Sequence, residues 1–142
     1  MTVRADLLRA LAAVPAEVAT AARSASGRPV PDGEWTADLV VRHLIAVESE
    51  VHLARLHDLA TQSDPHWGWV EPPPWTGEPA LTMDDLLERF ADLRAETLAT
   101  VAALDEAGWA RTGTHARLGV FDVEAVLRNA VDHDREHLRG LA

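Results

Sequence analysis

The sequence predicts an all-α protein built as a four-helix bundle. Three observations carry this: four stretches repeat apolar residues at helical spacing, breaker-rich segments separate them, and no strand-like alternation persists in between. At 142 residues, 47% of them hydrophobic, the chain reads as one domain, residues 1–142, with side chains enough for a single core.

The first helix is expected over about residues 4–23, where Leu7, Leu8, Leu11, Val14 and Val18 recur at helical spacing. Pro15 is expected to kink or divide it, because proline has no N–H and its ring crowds the preceding turn. After a loop rich in Gly, Pro and Ser, Thr36 is a suitable N-cap and Trp35 a hydrophobic staple for the second helix, over about residues 37–60. Its apolar residues fall on two flanks, Val40, Leu44, Val47 and Val51 on one, Val41, Ile45 and Leu56 on the other. His43 and Glu50 lie in the strip between them. A helix apolar around so much of its circumference is either central or shared with a second subunit, so a homodimer is expected.

Between Asp64 and Pro79 stand three tryptophans and five prolines, too stiff for a helix and too aromatic for a disordered linker. A loop of this length is expected to act as a lid or binding loop. The third helix, over about residues 83–104, starts after Thr82 with Asp84 and Asp85 in its first turn, as the helix dipole favours. A connector of residues 105–120 leads to the fourth helix, over about residues 122–141, whose inner face is Val123, Val126, Leu127, Ala130, Leu138 and Leu141. Asp134 falls near the centre of that face, where a carboxylate needs a partner, either a ligand histidine or a backbone group.

Composition narrows the chemistry. There is no cysteine, which excludes disulfides and thiolate ligands, and no lysine, which excludes a Schiff base and a phosphate-binding P-loop. A formal net charge of −10 without a basic stripe argues against nucleic acid as partner. No apolar run approaches a membrane span, and Asp6 falls where a secretory signal would continue, so no membrane association and a cytoplasmic location are expected.

His133 and His137 stand one helical turn apart, with Cβ atoms roughly 5–6 Å from one another, a spacing at which two imidazoles grip one ion. His43 offers a third nitrogen from the second helix. Three neutral imidazoles leave coordination positions open to water or substrate, whereas structural zinc is normally closed by four protein ligands. The expected cofactor is a divalent metal ion, and the donor set suits zinc, nickel, iron and copper alike. Glu50 lies about 10 Å along the axis from His43, too far for the same coordination shell, and reads as a pocket wall. His52 projects to the opposite face and His57 lies about 20 Å along the axis, so both are expected at the surface. His66, Trp67, Trp69 and Trp75 are the candidates for a substrate pocket, with loop anchoring as the alternative. His115 is expected to fasten its connector by hydrogen bonds, and Trp35 and Trp109 to pack the bundle ends.

With Gly33-Glu-Trp-Thr-Ala leading into the helix of His43, His133-Asp-Arg-Glu-His-Leu138 in the last helix and Trp109-Ala-Arg-Thr-Gly-Thr-His-Ala-Arg-Leu-Gly119 before it, the chain resembles the DinB/YfiT-like family of four-helix metalloenzymes. The likeness covers nearly the whole chain. It implies an up-down-down-up bundle with a divalent metal near one end, and His43, His133 and His137 match the family's ligand positions. Some members of the family use low-molecular-weight thiols as cosubstrates, among them mycothiol-dependent maleylpyruvate isomerases and bacillithiol transferases. The expected function is that of a small metal-binding protein acting as a thiol-dependent S-transferase on a small-molecule substrate. The alternatives are a metal-dependent hydrolase and a non-enzymatic, metal-containing binding or stress-response module.

Overall fold

The computed structural model describes residues 2–142. Helix α1 spans Val3–Ala25 and is capped by Thr2, whose hydroxyl accepts from the Ala5 N–H at 3.1 Å. Pro15 does not divide it. The carbonyl that residue 15 would have bonded, that of Leu11, accepts instead from Nη1 of the buried Arg94 at 2.8 Å. Helix α2 (Ala37–Val47) continues through a π-helical turn (Glu48–Leu53) into α3 (Ala54–Thr61), so one long rod covers the span that the periodicity predicts.

Strand β1 (His66–Trp67) comes next, and α4 (Met83–Ala102) then opens on a reciprocal capping box between Thr82 and Asp85. A short α5 (Glu106–Trp109), strands β2 (Gly113–His115) and β3 (Gly119–Phe121), and α6 (Val123–Leu141) complete the chain, with Asp122 accepting from the Ala125 N–H at 2.8 Å. β1 pairs parallel with β2, and β2 antiparallel with β3. These strands of two or three residues are too short to show alternation, which is why the sequence reads as helix and loop alone. Gly113 permits the pairing: a Cβ there would come within 2.7 Å of both the Pro65 carbonyl and the Trp67 ring.

Contacts along the rods fix their directions. Arg4 meets Glu106 and Arg23 meets Asp84, so α1 and α4 are antiparallel. Ile45 packs with Leu86 and Phe90, and Glu48 bonds Arg94 and Thr97 further along, so α2–α3 runs parallel to α4. Val126 and Leu127 share a cluster with Leu7 and Leu11, and Leu141 one with Val14 and Val18, so α6 runs with α1. The topology is up-down-down-up. Two neighbouring parallel rods require the chain to return along most of the bundle, a distance of roughly 35 Å at 1.5 Å per helical residue. The proline-rich segment of residues 64–79 makes that crossover.

Arg42 anchors it. Its Nη1 donates to the carbonyls of Trp75 (3.1 Å) and Gly77 (3.0 Å) and its Nη2 to those of Glu78 (3.1 Å) and Pro79 (3.3 Å), while the Trp75 N–H donates to the Arg42 carbonyl. Trp75 packs on the α2–α4 cluster beneath the Arg89 guanidinium, and Trp67 packs on the other cluster with Nε1–H donating to Asp58 at 3.0 Å. Trp69, by contrast, is 54% exposed. Trp67→Ala and Trp75→Ala should therefore lower the melting temperature by roughly 5 °C or more, whereas Trp69→Ala should melt as wild type does. Thermal denaturation of the three variants checks this.

The apolar flanks of α2 are used within the chain: Val41, Leu44, Ile45, Ala46 and Val47 are all buried. The sequence reason for a homodimer, a surplus of apolar surface on this helix, thus lapses. Among the described residues no helix is long and apolar enough to cross a membrane.

Candidate metal centre

His43 is fully buried on α2, and the crossover orients it: Nδ1 donates to the Pro72 carbonyl at 2.9 Å, while the Trp35 ring lies 4.8 Å from the imidazole. With the proton assigned to Nδ1 by that bond, Nε2 presents a lone pair to the interior. His133 and His137 project from successive turns of α6, their ring centroids 4.4 Å apart. The Nε2 atoms of His43 and His137 each lie 3.2 Å from Nε2 of His133. Among the described residues these three form a metal-type donor cluster, with all ligand atoms within 4.8 Å of one another. Nitrogens at 2.0–2.1 Å from a tetrahedral ion stand roughly 3.3 Å apart, so the observed spacing fits.

Protons alone satisfy the cluster poorly. A proton on His133 Nε2 points to one neighbour and leaves the other lone pair facing it, while Nδ1 of His133 is buried without a partner. Burial, reinforced by the neighbouring histidines, pushes His133 down to about 3, and burial also lowers His43 and His137. The imidazoles are therefore neutral at pH 7, the form that binds metal. The direction of the pH effect comes from linkage. The unfolded chain protonates these rings below about pH 6.5 and the folded chain resists, so their contribution to stability is complete above 6.5 and falls with the pH below it, for His133 down to about pH 3. Metal-stripped protein should melt progressively lower across that window, as calorimetry at stepped pH would show.

His133 and His137 line a cavity of about 420 Å³ with apolar walls from Val47, Val51, Trp69 and Leu118, and the fully buried His43 stands behind them. His52 also lines it, 5.8 Å ring to ring from His133 and only 2% exposed, which corrects its expected surface position. The π-helical turn is the cause. One extra residue in the turn rotates the downstream side chains by roughly 100°, bringing His52 inward and carrying Glu50 out of the His43 strip. Glu50 is exposed in a groove with Pro73 and Trp75. His66 is exposed and bonded to Asp64 beside a smaller hollow lined by Trp67. Of the aromatic residues singled out on the crossover, Trp69 lines the cavity of the triad, whereas Trp67 and Trp75 face elsewhere. His57 is exposed, Trp109 is in the core, and His115 fastens its connector by accepting the N–H groups of Arg117 and Leu118.

Behind the triad lies a buried polar layer that separates the two apolar clusters. Arg94 donates through Nε and Nη2 to both Glu48 oxygens, each at 2.9 Å, and through Nη2 to Asp134 at 3.0 Å. Thr97 adds a bond to Glu48 at 2.7 Å, and His52 Nδ1 meets the same carboxylate at 3.2 Å. Asp134 thus pairs with arginine and not with a ligand histidine. Burial drives the Glu48 carboxyl up, but the bonds from His52 and Arg94 outweigh it and hold the group ionised well below the usual carboxylate range. For Asp134 burial prevails and the carboxyl is raised. The sequence holds a signal for Arg94: Leu87, Phe90, Arg94, Thr97 and Val101 form one stripe on α4, and an arginine in such a stripe needs a buried acid.

Among solved structures, the chain is similar to YfiT from Bacillus subtilis, described as a probable metal-dependent hydrolase with an unusual four-helix bundle topology. The TM-score is 0.71 at 22% identity, covering 96% of this chain and 82% of that one. No curated protein matches in sequence. At that identity the likeness to YfiT establishes the fold. The sequence profile of the DinB superfamily extends further, matching residues 2–141, from the cap of α1 through both histidine-bearing helices. The chain belongs to the DinB superfamily.

Proposed function

We propose that this protein is a metal-dependent hydrolase of small molecules, with one divalent cation held by His43, His133 and His137. The observation that carries the reading is a cluster of three imidazoles, two of which, His133 and His137, line a cavity of about 420 Å³, where a closed structural site would supply a fourth protein ligand. A divalent cation bound there supplies a water of lowered pKa and polarises a substrate oxygen. The remaining tasks fall to the chain. Pro72 fixes the tautomer and direction of His43 through its carbonyl. Glu48, ionised and locked by Arg94, takes the Nδ1–H of His52, so that Nε2 of His52 is the free acceptor. In this reading Nε2 of His52 receives the proton of the attacking water, and Glu48 stabilises the imidazolium that results. Val47, Val51, Trp69 and Leu118 limit bulk water around the reacting groups.

Thiol transfer would use the same cavity with a low-molecular-weight thiol in place of water; it rests on the family resemblance, and no cavity side chain favours it. Metal-loaded protein assayed on small esters and amides, with and without added thiol, separates the two. Turnover without thiol, reduced about 10²- to 10⁴-fold in His52→Gln at unchanged metal content, is the expected result. Turnover only with thiol would replace the hydrolase by a transferase, and none under either condition would favour a binding module.

A further inference from the structure

Resting on the hydrolase reading, we infer that Arg55 and His115 form an anion subsite that receives a carboxylate of the substrate. The substrates are then small monocarboxylic acids with an apolar body. Arg55 is 6% exposed, lies on α3, and lines the cavity of the triad together with His115 from β2. Among the described residues no carboxylate, carbonyl or other acceptor lies within hydrogen-bonding reach of its guanidinium, and its one close partner is the Trp67 ring at 5.6 Å. An aromatic face offers stacking but no acceptor for the five N–H donors of a guanidinium. Every other buried arginine is fully engaged: Arg42 holds four carbonyls, and Arg94 holds two carboxylates and a carbonyl. A buried, uncompensated arginine beside a cavity is costly unless a ligand supplies the counter-charge.

His115 adds a second donor. It is 2% exposed, and its Nδ1 accepts the N–H groups of Arg117 (3.0 Å) and Leu118 (3.1 Å). The ring proton is thereby assigned to Nε2, for which no protein acceptor is present among the described residues. Burial, then the charges of Arg55 and Arg117, lower the pKa of His115, so the ring is neutral and its Nε2 is a fixed donor near a cation.

The walls select the class of anion. Val47, Val51, Trp69 and Leu118 suit an apolar body, and a cavity of about 420 Å³ suits a molecule of that kind. Glu71, Asp132 and Glu136 stand at the exposed rim, where they oppose a multiply charged group such as phosphate. A planar carboxylate matches the arginine fork in two parallel bonds.

Calorimetric titration with 3-phenylpropionate, its neutral amide and inorganic phosphate tests the subsite, with metal content measured on every sample. Wild-type protein should prefer the acid over the amide by about tenfold or more. Arg55→Gln and Arg55→Met should lose that preference at unchanged metal content, and Arg55→Met should melt no lower than wild type, since the charge has no protein acceptor or counter-charge to lose and methionine can still pack on the Trp67 ring. The preference should survive in His133→Ala/His137→Ala, where a metal cannot be what reads the carboxylate. A preference that persists without Arg55, that vanishes in the double histidine variant, or that favours phosphate would overturn the subsite. Metal held with acid and amide bound alike defeats this inference and leaves the metal reading intact; the preference without any retained metal does the reverse.

Discussion

Arg94→Met should be the most destabilising single change in this chain, at about 3–5 kcal/mol, or a fall in melting temperature of roughly 10 °C or more. The methionine fills much of the space, so the loss is electrostatic. It strands two buried carboxylates, Glu48 and Asp134, each 1% exposed, and the Leu11 carbonyl that Pro15 leaves unbonded. Replacing Glu48 and Asp134 with apolar residues in the same background should restore much of the stability, because a hydrophobic layer of equal volume is no worse than an ion-paired one. If the protein is the hydrolase proposed, the replacement should not restore turnover, since His52 then loses the carboxylate that holds its Nδ1. A pH signature accompanies the first variant. In wild type the lowered Glu48 pKa contributes stability above about pH 4.5 that is lost as the pH falls, and Arg94→Met should flatten that slope. Denaturant melts at pH 7 and pH 4 measure both effects. A cost below about 1 kcal/mol would mean that the layer is hydrated and not paired.

What the sequence shows and conceals divides along physical lines. Helix starts are legible because caps are local: Thr82 with Asp85, and Asp122 with Ala125, arise from side chains within three residues of the groups they satisfy. The histidine triad is legible because α2 before Val47 and α6 throughout keep ideal periodicity, so that His43, His133 and His137 project where ideal helices put them. Glu50 and His52 do not, because the intervening π-helical turn is stabilised by tertiary bonds from Arg94 and Thr97 to Glu48, on a helix some 46 residues away. No property of residues 48–53 alone announces the extra residue in that turn. Pro15 misleads for a similar reason, since the group that rescues the Leu11 carbonyl comes from α4. The crossover is visible as an unusual segment through its prolines and tryptophans, yet its division of labour is not. Which tryptophan faces the cavity depends on where Arg42, Asp58 and Gly113 clamp the chain, and those are contacts between distant segments.

His137→Ala and His133→Ala should each reduce bound metal from about one ion per subunit to a trace, while His57→Ala retains it. The two losses differ in their structural consequences. His137 is half-buried at the cavity edge, and its removal leaves His43 and His133 still 3.2 Å apart to bind a proton or a weakly held ion. His133 is the bridging member, within 3.2 Å of both other Nε2 atoms, and without it the remaining pair has no common neighbour. His133→Ala should therefore be the more complete loss of metal. Yet it also removes the buried Nδ1 that has no partner, so the metal-free His133→Ala protein should be no less stable than metal-free wild type. A metal bound by the triad would stabilise the folded chain by RT ln(1 + [L]/Kd), about 4 kcal/mol at a thousandfold excess over Kd. Wild-type protein should accordingly gain several degrees in melting temperature when zinc or nickel is added, and His133→Ala should gain none. Elemental analysis together with paired melting curves decides the matter. Full metal occupancy in His133→Ala, or a zinc-dependent shift in that variant as large as that of wild type, would place the ion somewhere other than the triad.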